Sequence, residues 1–82
     1  MIKNSRPLSS LRPGENAVID KIITKGDMRR RLFDLGLVSG TKIECVLKSP
    51  GGDPKAYFFR GTLIALRQDD CEKIFIKPKK QE

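Results

Sequence analysis

The chain contains no histidine and no tryptophan, and its two cysteines, Cys45 and Cys71, stand far apart. Without histidine, neither a Ser/His nor a Cys/His nucleophile pair can be built, and the common hydrolytic mechanisms have no parts here. The same absence, with two cysteines at no paired spacing, removes the Cys/His clusters that hold structural zinc. Cys45 lies inside an apolar strand pattern and is expected to be a small buried hydrophobe. Cys71 is expected nearer the surface. Beside it Asp69, Asp70 and Glu72 form one acidic turn, which reads as a cap and a solvated face. No catalytic residue, cofactor or metal site is therefore expected, and the scattered oxygen ligands do not support direct metal binding. Long apolar runs are missing too. No window approaches the roughly 20 apolar residues of a membrane-spanning helix, and the opening MIKNSRPLSS lacks the apolar run of a secretion signal. The expected location is the cytoplasm.

Positive charge, by contrast, is abundant. Seventeen Lys and Arg against ten Asp and Glu give a formal charge of +7 on 82 residues, with Lys77, Lys79 and Lys80 crowded at the C-terminal end. Such a surplus on a small domain implies an acidic partner, whether nucleic acid, a membrane surface or a negatively charged protein face. With 38% apolar and 33% charged residues the chain suits one globular domain with a compact core. Its expected organisation is a disordered N-terminus over 1–6, a folded domain over 7–77 and a basic tail over 78–82.

Within the domain, residues 7–14 (PLSSLRPG) read as a loop whose Leu8 and Leu11 anchor it over a core. Residues 15–23 (ENAVIDKII) are rich in β-branched side chains and predict a strand with Ala17, Ile19 and Ile23 on one face. Residues 41–48 alternate, predicting a strand with Ile43, Cys45 and Leu47 facing one way and Lys42, Glu44, Val46 and Lys48 the other. After the Pro/Gly loop 49–54 come strands over 56–60, with Tyr57 and Phe59 opposite Phe58, and over 63–67. A helical turn capped by Asp69 then precedes a last strand, Ile74 to Ile76. Between the first two strands the pattern turns helical. Asp27 is the expected N-cap, Met28, Leu32 and Leu35 recur at i, i+4 and i+7 on one face, Gly36 ends the helix, and Leu37 sits where an apolar side chain packs back on the last turn. Several short strands, one inserted short helix and frequent Gly/Pro turns predict a mostly β fold. An SH3-like small barrel is the economical choice and an OB-like barrel the competitor.

Taken together, LSSLRPGENAVI, RRRLFDLGLVSGTKIECVLKSPGGDP, RGTLIALR and the closing IFI resemble the FeoA family, ferrous iron transport protein A, over Leu8 to Ile76. The resemblance implies an SH3-like barrel in a non-enzymatic accessory or regulatory protein of bacterial ferrous iron uptake. It implies as partner the membrane-embedded FeoB-type iron permease, contacted at its cytosolic G-protein region. The small protein would then lie peripheral to the inner face of the membrane, with no direct membrane insertion. The alternative is an SH3-like module that binds nucleic acid or acts in iron-dependent transcription. The chain has no room for a helix-turn-helix domain, and Gly52-Asp53-Pro54 is no part of a phosphate-binding P-loop.

The three adjacent arginines of the helix cannot form one patch, because successive helical residues point about 100° apart. Arg30 and Arg31 have acids at helical spacing in Asp27 and Asp34. Arg29 has none, and its i+4 neighbour is Phe33. An arginine beside an aromatic residue is the composition of an interface hot spot. The expected docking set is thus Arg29, Phe33 and Leu37, with Asp53 of the 49–54 loop. The other placement left open buries Phe33 under a loop and leaves Arg29 solvated. For nucleic acid, the corresponding candidates are Tyr57 and Phe59 beside Arg60, where aromatic rings next to positive charge could stack bases.

Overall fold

A computed structural model describes residues 5–77. In chain order these form β1 (Arg6–Pro7), a 3-10 turn (Leu8–Ser10), β2 (Asn16–Ile22), α1 (Gly26–Asp34), β3 (Lys42–Lys48), β4 (Lys55–Phe59), β5 (Thr62–Leu66), α2 (Gln68–Cys71) and β6 (Ile74–Ile76). The strands make one antiparallel sheet in the order β1-β6-β2-β3-β4-β5. β2 is its hinge. Asn16 to Val18 pair with β3, Ile19 to Ile22 pair with β6, and a bulge separates Ile19 from Lys21. A strand that changes partner at a bulge bends sharply, which curls so short a sheet around a single core. Leu8, Leu11, Ile19, Leu32, Ile43, Tyr57, Phe59, Leu66, Ile74 and Ile76 fill that core. Across one seam the Lys55 ammonium donates to the carbonyls of Ser9 (2.8 Å) and Leu11 (2.9 Å), tying β4 to the turn that carries the two leucine anchors.

The bulge in β2 corrects one expectation. An extra residue flips the side-chain alternation beyond it, so Ile22 packs against the core while Ile23, expected inside, is 49% exposed. The same happens in β3, where the register shifts between Cys45 and Leu47. Ile43 and Cys45 are buried as expected, but Leu47 is turned out and 55% exposed. At the N-terminal end of the described residues the chain joins the sheet. Arg6 pairs with Ile76, and the Ser5 hydroxyl donates to the Asp20 carboxylate. The tail 78–82 and residues 1–4 lie outside the described residues.

α1 starts two residues earlier than its expected first residue. Lys25 occupies the N-cap position in an extended conformation and makes no side-chain cap, and Asp27 falls within the first turn. There its carboxylate still favours the positive end of the helix dipole. Leu32 is buried, and Met28 and Leu35 pack at the core's edge. The C-terminus closes as a Schellman motif: the Gly36 N–H donates to Phe33 (2.9 Å) and the Leu37 N–H to Leu32 (2.9 Å). Gly36 has φ +99°, and a Cβ there would stand 2.8 Å from Arg60 Cδ and Nε, which cross over it. The Gly36→Ala variant is expected to lose about 1–2 kcal/mol, the cost of an L residue in the left-handed region, with the Arg60 side chain displaced. Urea unfolding of the two proteins measures it, and equal midpoints would contradict this account.

Candidate functional site

The chain leaving α1 is pinned to β2. Gly40 N–H donates to Ile19 O (2.8 Å), Ile19 N–H donates to Thr41 O (2.8 Å), and the Ser39 hydroxyl donates to Asp20 O (2.9 Å). Buried Thr41 finishes the corner, its hydroxyl donating to Gly36 O (3.1 Å) and accepting from Val38 N–H (3.2 Å). Helix flank and strand therefore stand side by side with an open groove of about 300 Å³ between them, lined by Asp20, Lys21, Ile22, Arg29, Phe33, Leu37, Val38 and Ser39.

Three of the four sequence-predicted docking residues meet in this groove, in different roles. Phe33 is 65% exposed, which removes the alternative of a ring buried under a loop. Arg29 is exposed, yet its Nη1 donates to the carbonyls of Ile22 (3.2 Å) and Thr24 (3.4 Å), so the guanidinium also fastens the helix to the end of β2. Leu37, 1% exposed, belongs to the core. It can floor the groove but offers almost no surface of its own. Asp53 is elsewhere. Its Oδ1 accepts the Gln68 N–H (2.9 Å), capping α2 from fifteen residues away, the role the sequence assigned to Asp69. It lines a closed recess with Lys55, Tyr57 and Cys71 instead of the groove. Lys21, Val38 and Ser39 were not legible as site residues, because they join Phe33 only through the pairing of the 38–41 corner with β2.

The recess beside Asp53 is inert. Cys71, expected near the surface, is 1% exposed, and its thiol lies 3.4 Å from the hydroxyl of fully buried Tyr57, to which it donates. Burial pushes the Cys71 thiol up to about 11, and the Tyr57 hydroxyl, which can donate to the thiolate once it forms, offsets that only in part. Burial, with the hydrogen bond to Cys71, also pushes the Tyr57 phenol up, and burial raises Cys45. A thiol held neutral is a poor nucleophile. The folded thiol of Cys71 keeps its proton to a higher pH than the unfolded one, whose ordinary value is 9.0. Between those two values the unfolded chain binds fewer protons, so stability falls with rising pH. Stability is expected to be fully kept below pH 9 and to decline towards pH 11. Urea midpoints across that range test it, and a flat profile would overturn the assignment. Tyr57 (0% exposed) and Phe59 (1%) are core residues, so the rings named as base-stacking candidates have no face to offer.

Among the described residues, no three His, Cys, Asp or Glu side chains converge where they could hold a metal ion. No helix among them is long and apolar enough to cross a membrane. A bent antiparallel barrel with one inserted helix between β2 and β3, and a groove along that helix, defines a small SH3-like domain. The FeoA domain family, which is involved in ferrous iron transport, matches residues 6–78, and the chain belongs to that family. It is 34% identical over 70 residues to the Fe(2+) transport protein A/Fe(2+) transporter FeoB fusion protein of Porphyromonas gingivalis, a match covering 85% of this chain but 8% of that protein's length. Among solved structures it is similar to the FeoA protein of Chlorobium tepidum, with 35% identity and a TM-score of 0.82 over 87% of this chain and 68% of that one. It is also similar to Stenotrophomonas maltophilia FeoA, described as a procaryotic SH3 domain protein and complexed with zinc. There the identity is 31% and the TM-score 0.74, over 87% of this chain and 88% of that one.

Proposed function

We propose that this protein is a non-enzymatic accessory component of ferrous iron uptake that binds the cytosolic G-protein region of a FeoB-type permease through the groove between α1 and β2. The observation that carries the reading is the fusion relative, in which a segment like this chain and a FeoB transporter are one polypeptide. A covalent link raises the effective concentration of one module at the other, which matters only when the two engage. The groove supplies suitable chemistry. Phe33 gives an exposed aromatic anchor, and Lys21 and Arg29 give positive charge at its rim. An apolar anchor ringed by charge is the arrangement in which a few residues dominate binding, and the net charge of +7 favours an acidic counterpart.

The test is a titration of the purified full chain against the purified cytosolic region of the permease, read by calorimetry, with nucleotide hydrolysis measured in parallel. Saturable binding supports the proposal, and the hydrolysis rate reveals whether the contact activates or restrains turnover. No heat and no retention in a pull-down of the intact permease would sink it. Arg29→Glu is a compromised probe, because its side chain also holds the Ile22 and Thr24 carbonyls. Phe33 is the cleaner one.

A further inference from the structure

Six large apolar side chains are exposed among the described residues, and four of them, Val46, Leu47, Phe58 and Leu63, come from the adjacent strands β3, β4 and β5. Register places them together. Phe58 lies opposite Glu44 on one side and Leu63 on the other, and in the next row Leu47 lies opposite Ala56, which faces Ala65. Directly opposed residues share a face and sit within about 5.5 Å of each other, so these rows make one continuous apolar surface on the outside of the barrel. The β3 bulge completes it, because in place of alternating, Val46 and Leu47 are both exposed.

Charge at this face is nearly all of one sign. Glu44 is the single carboxylate in the two rows. Lys42 and Arg60 stand with Phe58 about an open groove of about 340 Å³ at one end. Arg67 extends the outward-facing series Leu63, Ala65 at the other. We infer that this face seats on an anionic lipid surface, with the leucines and Phe58 entering the boundary between headgroups and acyl chains and the cations meeting lipid phosphates. Apolar side chains and basic charge together are what interfacial binding requires, and each alone is weak. A nucleic acid would use the cations and leave the leucines unexplained. A second copy would bring +7 against +7. The seat is peripheral and shares no residue with the α1 groove, so it stands or falls independently of the permease reading.

The experiment is flotation of the full chain with vesicles of phosphatidylglycerol and phosphatidylethanolamine, and with vesicles of phosphatidylcholine alone. The parent protein is expected to float with the anionic vesicles and to remain behind with the neutral ones. The Leu47→Ser/Leu63→Ser double variant, altered only at well-exposed positions, is expected to partition about tenfold less or weaker still, and Lys42→Glu/Arg67→Glu to do the same. Phe33→Ser is expected to behave as the parent, and urea midpoints of all variants establish that they are folded. Failure of the parent to float overturns the inference. So does full binding by the double serine variant, which would leave only charge attraction. A sedimenting dimer that Leu63→Ser dissolves would assign the face to self-association instead.

Discussion

Phe33→Glu is expected to weaken binding to the cytosolic region of the permease by about thirtyfold or more, the factor that corresponds to losing a hot-spot residue of about 2 kcal/mol. The fold should not notice. Phe33 is 65% exposed on the flank of α1, away from the Met28, Leu32, Leu35 stripe that meets the core. A solvent-facing substitution of this kind stays within about 0.5 kcal/mol in stability. The added carboxylate acts against an acidic partner as well as removing the ring, so the binding effect combines lost contact with introduced repulsion. Calorimetric titration and urea unfolding of the same preparation separate the two quantities. An affinity equal to the parent's would move the docking surface away from this groove.

Leu37→Ala has the opposite profile. The side chain is 1% exposed, and its backbone N–H closes the Schellman motif onto Leu32. Truncating a fully buried leucine costs about 2–5 kcal/mol, the transfer term plus the cavity it leaves. In a domain of this size, whose total stability is of the order of 5–10 kcal/mol, that is a large fraction. The urea midpoint is expected to fall accordingly, while the fraction that remains folded in buffer binds the permease region with little change. A stable Leu37→Ala protein with weakened binding would show Leu37 to be a contact residue after all.

These two neighbours in the groove show what the sequence can and cannot convey. Helical spacing sets Phe33 off the buried stripe, and Gly36 fixes where the helix stops, so both the exposed aromatic and the αL corner are readable from a few adjacent residues. Leu37 immediately follows, and the pattern allows it either to dock or to pack back. Only the fold chooses. Asp53 is the same problem at longer range, since a loop aspartate with no local partner proves to be the cap of a helix fifteen residues on.

The strand faces divide similarly. Alternation places Ile43, Cys45, Tyr57 and Phe59 inside and Phe58 outside, because side chains on a strand obey a period of two as long as the register runs unbroken. Ile22, Ile23 and Leu47 escape that rule because each lies beyond a bulge, and a bulge is a property of two paired strands that neither strand's own sequence announces. By itself, then, the sequence determined the order of elements from β2 to β6, the inserted helix with its stop at Gly36, most of the core and the positive charge, all consequences of local periodicity and composition. Tertiary pairing decided the rest. It brought Lys21 and Ser39 to the side of Phe33, buried Tyr57 and Cys71, set Asp53 to cap α2 away from the groove, and turned Leu47 outward beside Phe58 and Leu63. The physical reason is that which side chains share a surface depends on strand register and on where the sheet bends, and both are settled between segments far apart in the chain.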